Sequence, residues 1–213
     1  MSDNSNISGY VYKDADLNAS HDYLLPGLLA YLLKLGLPPD RTQIFELGCG
    51  NGSVAFRLSE AGFDVVGVDP SVQGIAQANN RYPYIKLYTG SAYDDLAGRF
   101  GQFPVVISLE VVEHVYDPRK YAATLFDLVA PGGVAIISTP YHGYLKNLAL
   151  AVTGKMDAHF TALWDGGHIK FWSIATLSRL LKEAGFEIEK FERVGRIPAL
   201  AKSMVAFVRK PAA

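Results

Sequence analysis

Glu110, Glu113 and His114 fall within five residues of the stretch LEVVEHVYDP, which follows the apolar run FPVVIS. Their i, i+3 and i+4 spacing would aim all three side chains the same way if the segment formed one helical turn. Three readings fit. His114 or Glu113 is a general base that takes a hydroxyl proton, since a neutral imidazole is available near pH 7 and such a base supplies about 10²–10⁴ in rate. Alternatively Glu110, Glu113 and His114 hold a divalent metal that lowers the pKa of a catechol-like hydroxyl. In the third reading Glu113 decorates a helix start and His114 satisfies buried backbone. Spacing alone does not separate them.

A second constellation lies upstream. FELGCGNGS places Gly48, Gly50 and Gly52 between an apolar run and a helical pattern, where backbone without Cβ atoms admits a close ligand. Nineteen residues after Gly50, Asp69 ends the next apolar run, where a carboxylate can accept both hydroxyls of a ribose. Together they call for a ligand that carries a nucleoside. A dinucleotide loop wants G-x-G-x-x-G/A, but the third position here is Ser53, and Glu46 just ahead of the loop opposes a pyrophosphate. A nicotinamide dehydrogenase is thereby disfavoured.

The surrounding pattern explains how both constellations reach one place. Strands are expected at 43–47, 63–69, 84–90, 104–108 and 134–139, with helices near 52–61 and 72–80 and a short linker helix before 104. A further helix starts at Asp117-Pro118, an acidic cap followed by a residue tolerated at the first helical position. APGG (130–133) is expected to break that helix before strand 134–139. Strands alternating with helices over short turns argue for a parallel sheet covered on both faces. Strand C-ends then carry both the glycine loop and the 110–114 cluster to one crevice. Residues 141–172 break the rhythm, and a segment that long favours a lid or pocket wall. A helix at 173–184 and a hairpin of strands 186–194 and 203–210 close the chain.

The runs ELGCGNG and VVGVDPS resemble the class I S-adenosylmethionine-dependent methyltransferases over about residues 40–140. That resemblance implies a Rossmann-like, doubly wound α/β fold with seven strands ordered 3-2-1-4-5-7-6 and strand 7 antiparallel. It also implies S-adenosyl-L-methionine as cofactor, with Glu46 opening the loop, Gly48 and Gly50 at the methionine part and Asp69 at the ribose. Pro70, Ser91 and Ala92 would flank the adenine, Leu109 would border the cofactor, and Tyr12 would touch it from an N-terminal cap. SLEVVEHVYDP is similar to the corresponding segment of the ubiquinone-biosynthesis O-methyltransferase branch, and DGGHIKFWS (165–173) to a His-aromatic stretch there. Residues 141–164 differ from that branch, so the resemblance implies a mechanism and leaves the acceptor open. The expected reaction is methyl transfer to a small molecule, first to a hydroxyl oxygen, alternatively to nitrogen or carbon. The contrasting class is a non-catalytic, nucleotide-binding relative.

His168 in that stretch is a further catalytic candidate, and so is His142, which with Tyr141 follows strand five. His21 and His159 are expected to be structural and Cys49 a small packed residue. The 213 residues suit one domain, 1–213, with a helical cap over 1–40 and the insertion at 141–172. A net charge of −1 offers no basic excess for nucleic acid. One cysteine excludes an internal disulfide, and the polar start MSDNSNISGY shows no signal peptide, so a cytoplasmic location is expected. No apolar run is long enough to span a bilayer, although 143–155, apolar with one charge before its end, suits a lid, a weak membrane-surface contact or a packed helix.

Overall fold

A computed structural model describes residues 12–164 and 166–212; the MSDNSNISGY start, with Tyr10, lies outside the described residues. Seven strands form one sheet: β1 (Gln43–Leu47), β2 (Asp64–Asp69), β3 (Lys86–Thr89), β4 (Phe103–Leu109), β5 (Val129–Pro140), β6 (Glu187–Val194) and β7 (Ser203–Arg209). Their order is β3-β2-β1-β4-β5-β7-β6, with β7 antiparallel to both neighbours, as the family resemblance implies. β1 to β5 pair in parallel, so their C-ends share one edge.

Alternation along the strands divides the core. Ile44, Val65, Ile107, Ile136 and Phe207 face helices α1 (His21–Lys34), α2 (Ser53–Glu60) and α3 (Val72–Arg81). Phe45, Val66, Val106, Ile137 and Met204 pack on the other side, with a short α4 (Leu96–Phe100) and with α5 (Pro118–Leu128). Beyond β5 come α6 (Tyr144–Val152), α7 (Met156–Phe160) and α8 (Ile174–Glu183). α8 buries Leu177, Leu180 and Leu181 against the second core and starts at a capping box of Ser173 and Thr176. Asp117 caps α5, its side chain accepting from the Lys120 N–H at 3.0 Å. None of the helices among the described residues is long and apolar enough to cross a membrane.

One expected boundary is corrected. Residues 130–133 do not separate a helix from a strand at 134, because β5 begins at Val129 and passes through them. Val129 pairs with Phe103 and the next pair is Val105 with Val134, so the extra residues bulge opposite Pro104, which has no N–H for the ladder.

A buried relay ties the central strands to α5: the Tyr121 hydroxyl donates to Ser108 Oγ at 2.8 Å, which donates to the Leu47 carbonyl at 2.8 Å. Ser108→Ala strands a buried hydroxyl and removes the carbonyl's side-chain donor, so it should cost about 1–3 kcal/mol. For a chain of this size that is a fall of roughly 2–4 °C in Tm per kcal/mol, measured by thermal unfolding.

Candidate active site

The glycine loop begins where β1 ends. Gly48, Gly50 and Gly52 have φ of 89°, 53° and 74°, a left-handed conformation that side chains rarely adopt. Asp69, at the end of β2, pins the loop from below. Its Oδ2 accepts the Gly50 N–H at 2.9 Å and its Oδ1 the Ser71 N–H at 2.8 Å. Burial raises Asp69 to about 6, against the pull of those two N–H donors. Each carboxylate oxygen keeps a further lone pair for a ligand hydroxyl.

Above the loop runs the segment 12–16. Gln73 and Gln77 donate to the Tyr12 carbonyl at 3.0 and 3.1 Å, and Asn51 donates to the carbonyls of Asp14 and Asp16 at 2.8 and 3.0 Å. The Tyr12 ring lies over Gly50 so closely that a Cβ there would come within 2.4 Å of its hydroxyl. Asn51, Gln73 and Gln77 escaped sequence reasoning; their only signal is their place beside the loop and on the first turns of α3.

Loop and strap form one end of a cavity of about 630 Å³. Tyr12, Gly48, Gly50, Asp69, Pro70, Ser91, Ala92 and Leu109 all line it. Glu46 does not. β1 carries its side chain inward, where it is 2% exposed, one oxygen meeting the Ala55 backbone and the other without a hydrogen-bond partner among the described residues. Burial, and then the nearby Asp69 charge, push Glu46 up to about 8.

Glu110, His114 and His168 line the other end of the cavity. The expected helical turn is absent: residues 110–116 form a turn, and Glu110 has φ of 56°. That left-handed backbone turns the Glu110 side chain toward β5 and β7. Its carboxylate accepts from Ser138 Oγ at 2.8 Å and Ser203 Oγ at 3.4 Å, and burial raises it to about 7. Glu113 points beneath the cavity, fully buried, and neither carboxyl oxygen reaches a hydrogen-bond partner among the described residues. Burial, with the adjacent Glu110 charge, lifts Glu113 well above the carboxylate range.

His168 takes the place that spacing gave to Glu110. Residues 166–172 are stitched onto the 112–114 turn: the N–H groups of Ile169 and Lys170 donate to the Glu113 carbonyl at 2.9 and 3.0 Å, and Trp172 Nε1 donates to the Val112 carbonyl at 3.1 Å. His168 Nε2 thereby lies 4.0 Å from Glu113 Oε1, and the His114 and His168 rings stand edge to face at 4.9 Å. Ligand atoms of Glu113, His114 and His168 fall within 4.8 Å of one another, so the trio a metal would use contains His168 and not Glu110. Trp164 walls the site at 5.3 Å from His168.

Burial holds both imidazoles neutral at physiological pH, His168 at about 4 and His114 below its ordinary value. His114 Nδ1 lies 3.0 Å from the Gly166 carbonyl, which can only accept, so Nδ1 carries the proton and Nε2 keeps its lone pair. His142 lies in a neighbouring cavity, 8% exposed. His21 also lines the main cavity, but its Nδ1 accepts the Asn18 N–H at the start of α1. Cys49 lines the cavity too; burial raises its thiol well above the ordinary value, as befits a packed residue.

With this geometry in hand, the likeness to known proteins acquires meaning. The family described as "Methyltransferase domain" matches residues 19–190. A ubiquinone biosynthesis O-methyltransferase of Cereibacter sphaeroides is 32% identical over 162 residues, 73% of this chain and 64% of that protein. The same-named protein of Azorhizobium caulinodans is 34% identical over 155 residues, 70% of this chain and 60% of that one. The chain thus matches less than two thirds of these relatives' length. Among solved structures, magnesium protoporphyrin IX methyltransferase of Synechocystis PCC 6803, with bound S-adenosylhomocysteine, superposes with a TM-score of 0.67 at 21% identity, over 88% of this chain and 82% of that one. The chain belongs to the methyltransferase-domain family, in its class I S-adenosylmethionine-dependent group.

The buried acids give a test. Glu46, Glu110 and Glu113 are raised in the folded state, so they bind protons that the unfolded chain has released above the ordinary carboxylate range. His21, His142 and His168, lowered to about 4, oppose this until the unfolded histidines, of ordinary value 6.5, have lost their protons about one unit higher. Above about pH 7.5 the carboxyl groups prevail. Stability should therefore fall from about pH 7.5 through about 8, by at most about 1.4 kcal/mol per pH unit for each group. In chemical denaturation, Glu46→Gln should flatten that slope; an unchanged slope would contradict the assignment to Glu46.

Proposed function

We infer that this protein transfers a methyl group from S-adenosylmethionine to a hydroxyl oxygen of a small molecule, with His114 as general base. The observation that carries the reading is the neutral His114 imidazole, its Nδ1 held at the Gly166 carbonyl, lining the same cavity as the glycine loop and Asp69.

The residues fit the donor. The cavity is lined by the carboxylates of Asp69 and Glu110 and, among the described residues, by no lysine or arginine. That polarity suits a sulfonium and an ammonium, and it leaves a pyrophosphate without a cation. Val68, Pro70 and Ala92 offer apolar contact where a nucleobase would lie beside the ribose held by Asp69. When bound, the donor supplies an electrophilic methyl carbon and a neutral thioether leaving group. The protein's part is alignment and the exclusion of water, with 141–172 serving as lid and 12–16 as the cap over the loop. As the oxygen attacks, its proton passes to His114 Nε2. His168 and Trp164 wall the acceptor, while Glu113 beneath, lifted well above the carboxylate range, adds no buried charge.

Oxygen is favoured because the two relatives above are named as O-methyltransferases. Fold alone does not decide, since a [4+2]-cyclase superposes with a TM-score of 0.60 at 15% identity. A second reading rests on the approach of Glu113, His114 and His168 to within 4.8 Å: these residues would hold a divalent ion, which would lower the pKa of a catechol hydroxyl.

Mass-spectrometric detection of methyl transfer to a panel of phenols and catechols tests the proposal. His114→Ala should lower kcat by about 10²–10⁴ while S-adenosylhomocysteine binds as before. Because burial lowers the His114 pKa, protonation of His114 should not limit kcat/KM above about pH 6.5, and any inflection near about 7 should vanish in Glu110→Gln. A chelator should leave the base-catalysed reaction unchanged and abolish the metal-assisted one; full turnover by His114→Ala would remove both.

A further inference from the structure

A second cavity of about 430 Å³ opens beside the first over the C-end of β5, and His168 lines both. Its charge is the reverse of its neighbour's. Lys146, Lys155, Arg196 and Lys202 line it, together with His142 and His159, and none of its described lining residues is a carboxylate. None of the four cations enters an ion pair within the described residues. Lys146 is the most enclosed: its Nζ donates to the Tyr141 carbonyl at 2.8 Å and, more weakly, to the Lys202 carbonyl at 3.4 Å. Neutral carbonyls orient this ammonium, and the acid whose charge it feels, Glu110, lines the other cavity and makes no ion pair with it. The remaining wall is aromatic, His142 stacking on Phe160 and meeting the edge of Phe171.

Four like charges gathered on one concave surface repel one another, and a bound anion relieves that repulsion. The positive field is felt inside the cavity, since Lys146 and His159 help burial to lower His142, and Arg196 helps burial to lower Lys146. An anion there would sit on the far side of His168 from the proposed methyl-transfer centre, in reach of a molecule that spans both cavities.

We propose that the second cavity is the acceptor's recognition site and that the acceptor is an aromatic small molecule bearing an anionic group, a carboxylate or a phosphate-type group, read by Lys146 and Arg196. This rests on the methyl-transfer reading, which assigns the first cavity to the donor. It selects among hydroxyl compounds: the methylated oxygen reaches the His114–His168 end while the anion docks about Lys146. A guanidinium on exposed chain and a half-buried ammonium suit an anion that enters from solvent.

The test uses three matched probes with the 213-residue chain: 3,4-dihydroxybenzoate, 3,4-dihydroxyphenylphosphonate and the neutral 3,4-dihydroxybenzamide. At least one anionic probe should show a KM about 10- to 100-fold below that of the amide, as befits a charge-assisted contact. Arg196→Gln and Lys146→Gln should raise that KM about tenfold, with kcat and the amide's KM little changed. Arg196 makes no ion pair or side-chain hydrogen bond among the described residues, so its variant remains informative if Lys146→Gln, which loses carbonyl contacts, fails to fold. Histidine ring NMR gives a second readout independent of turnover. An anionic probe should shift His142 and His159, which line this cavity and not the first, and the shifts should vanish in Arg196→Gln. If those shifts appear with no methylation, the methyl-transfer reading fails and the anion site stands. Equal KM values for anion and amide, or variants that weaken both alike, would overturn the proposal.

Discussion

The organisation of this protein depends on one buried carboxylate. Asp69 receives the N–H of Gly50 from the turn after β1 and the N–H of Ser71 from the turn after β2. One residue thus fixes both crossover turns at the edge where the parallel strands end. Its desolvation is offset by two charge-assisted hydrogen bonds, which also hold the left-handed glycine loop open to a ligand. The strap 12–16 rests on that loop through Asn51, Gln73 and Gln77, so the N-terminal cover of the cavity is built on the same foundation.

The other end of the cavity is organised by backbone rather than by a carboxylate. Glu113 gives its carbonyl to two N–H groups of segment 166–172, while its side chain is buried below. That pairing brings His168 to His114 across more than fifty residues of sequence. The strain of φ 56° at Glu110 belongs to the same design: it turns the chain out of β4 and sends one acid to Ser138 and Ser203 while the next dives under the site. Side by side, an acid-lined cavity and a cation-lined cavity divide the surface around His168, an arrangement suited to a cationic donor and an anionic acceptor.

Much of this was legible in the sequence, for physical reasons. Apolar runs of strand length bounded by Gly and Pro place β1, β2 and β4 within a residue or two, because strands buried on both faces leave little else to choose. Asp117-Pro118 marks the start of α5 because capping chemistry is local. The glycine loop and Asp69 could be paired because both features lie at strand C-ends of a parallel sheet. What failed is long-range or depends on one dihedral angle. APGG reads as a break, yet β5 runs through it because Pro104 opposite forces a bulge. The i, i+3, i+4 spacing of Glu110, Glu113 and His114 matters only on a helix, and the chain forms a turn there. Glu46 reads as part of a ligand loop, whereas the alternation of β1 sends its side chain into the core. His168 was a candidate on its own, but only tertiary hydrogen bonds set it beside Glu113.

The most direct measurement is calorimetric titration of the protein with S-adenosylhomocysteine, with NADH as a control and with Asp69→Ala as the variant. The account predicts one-to-one binding of S-adenosylhomocysteine, no binding of NADH, and loss of the S-adenosylhomocysteine signal in a variant that still folds. Binding of NADH in place of S-adenosylhomocysteine, or undiminished affinity without the Asp69 carboxylate, would contradict it.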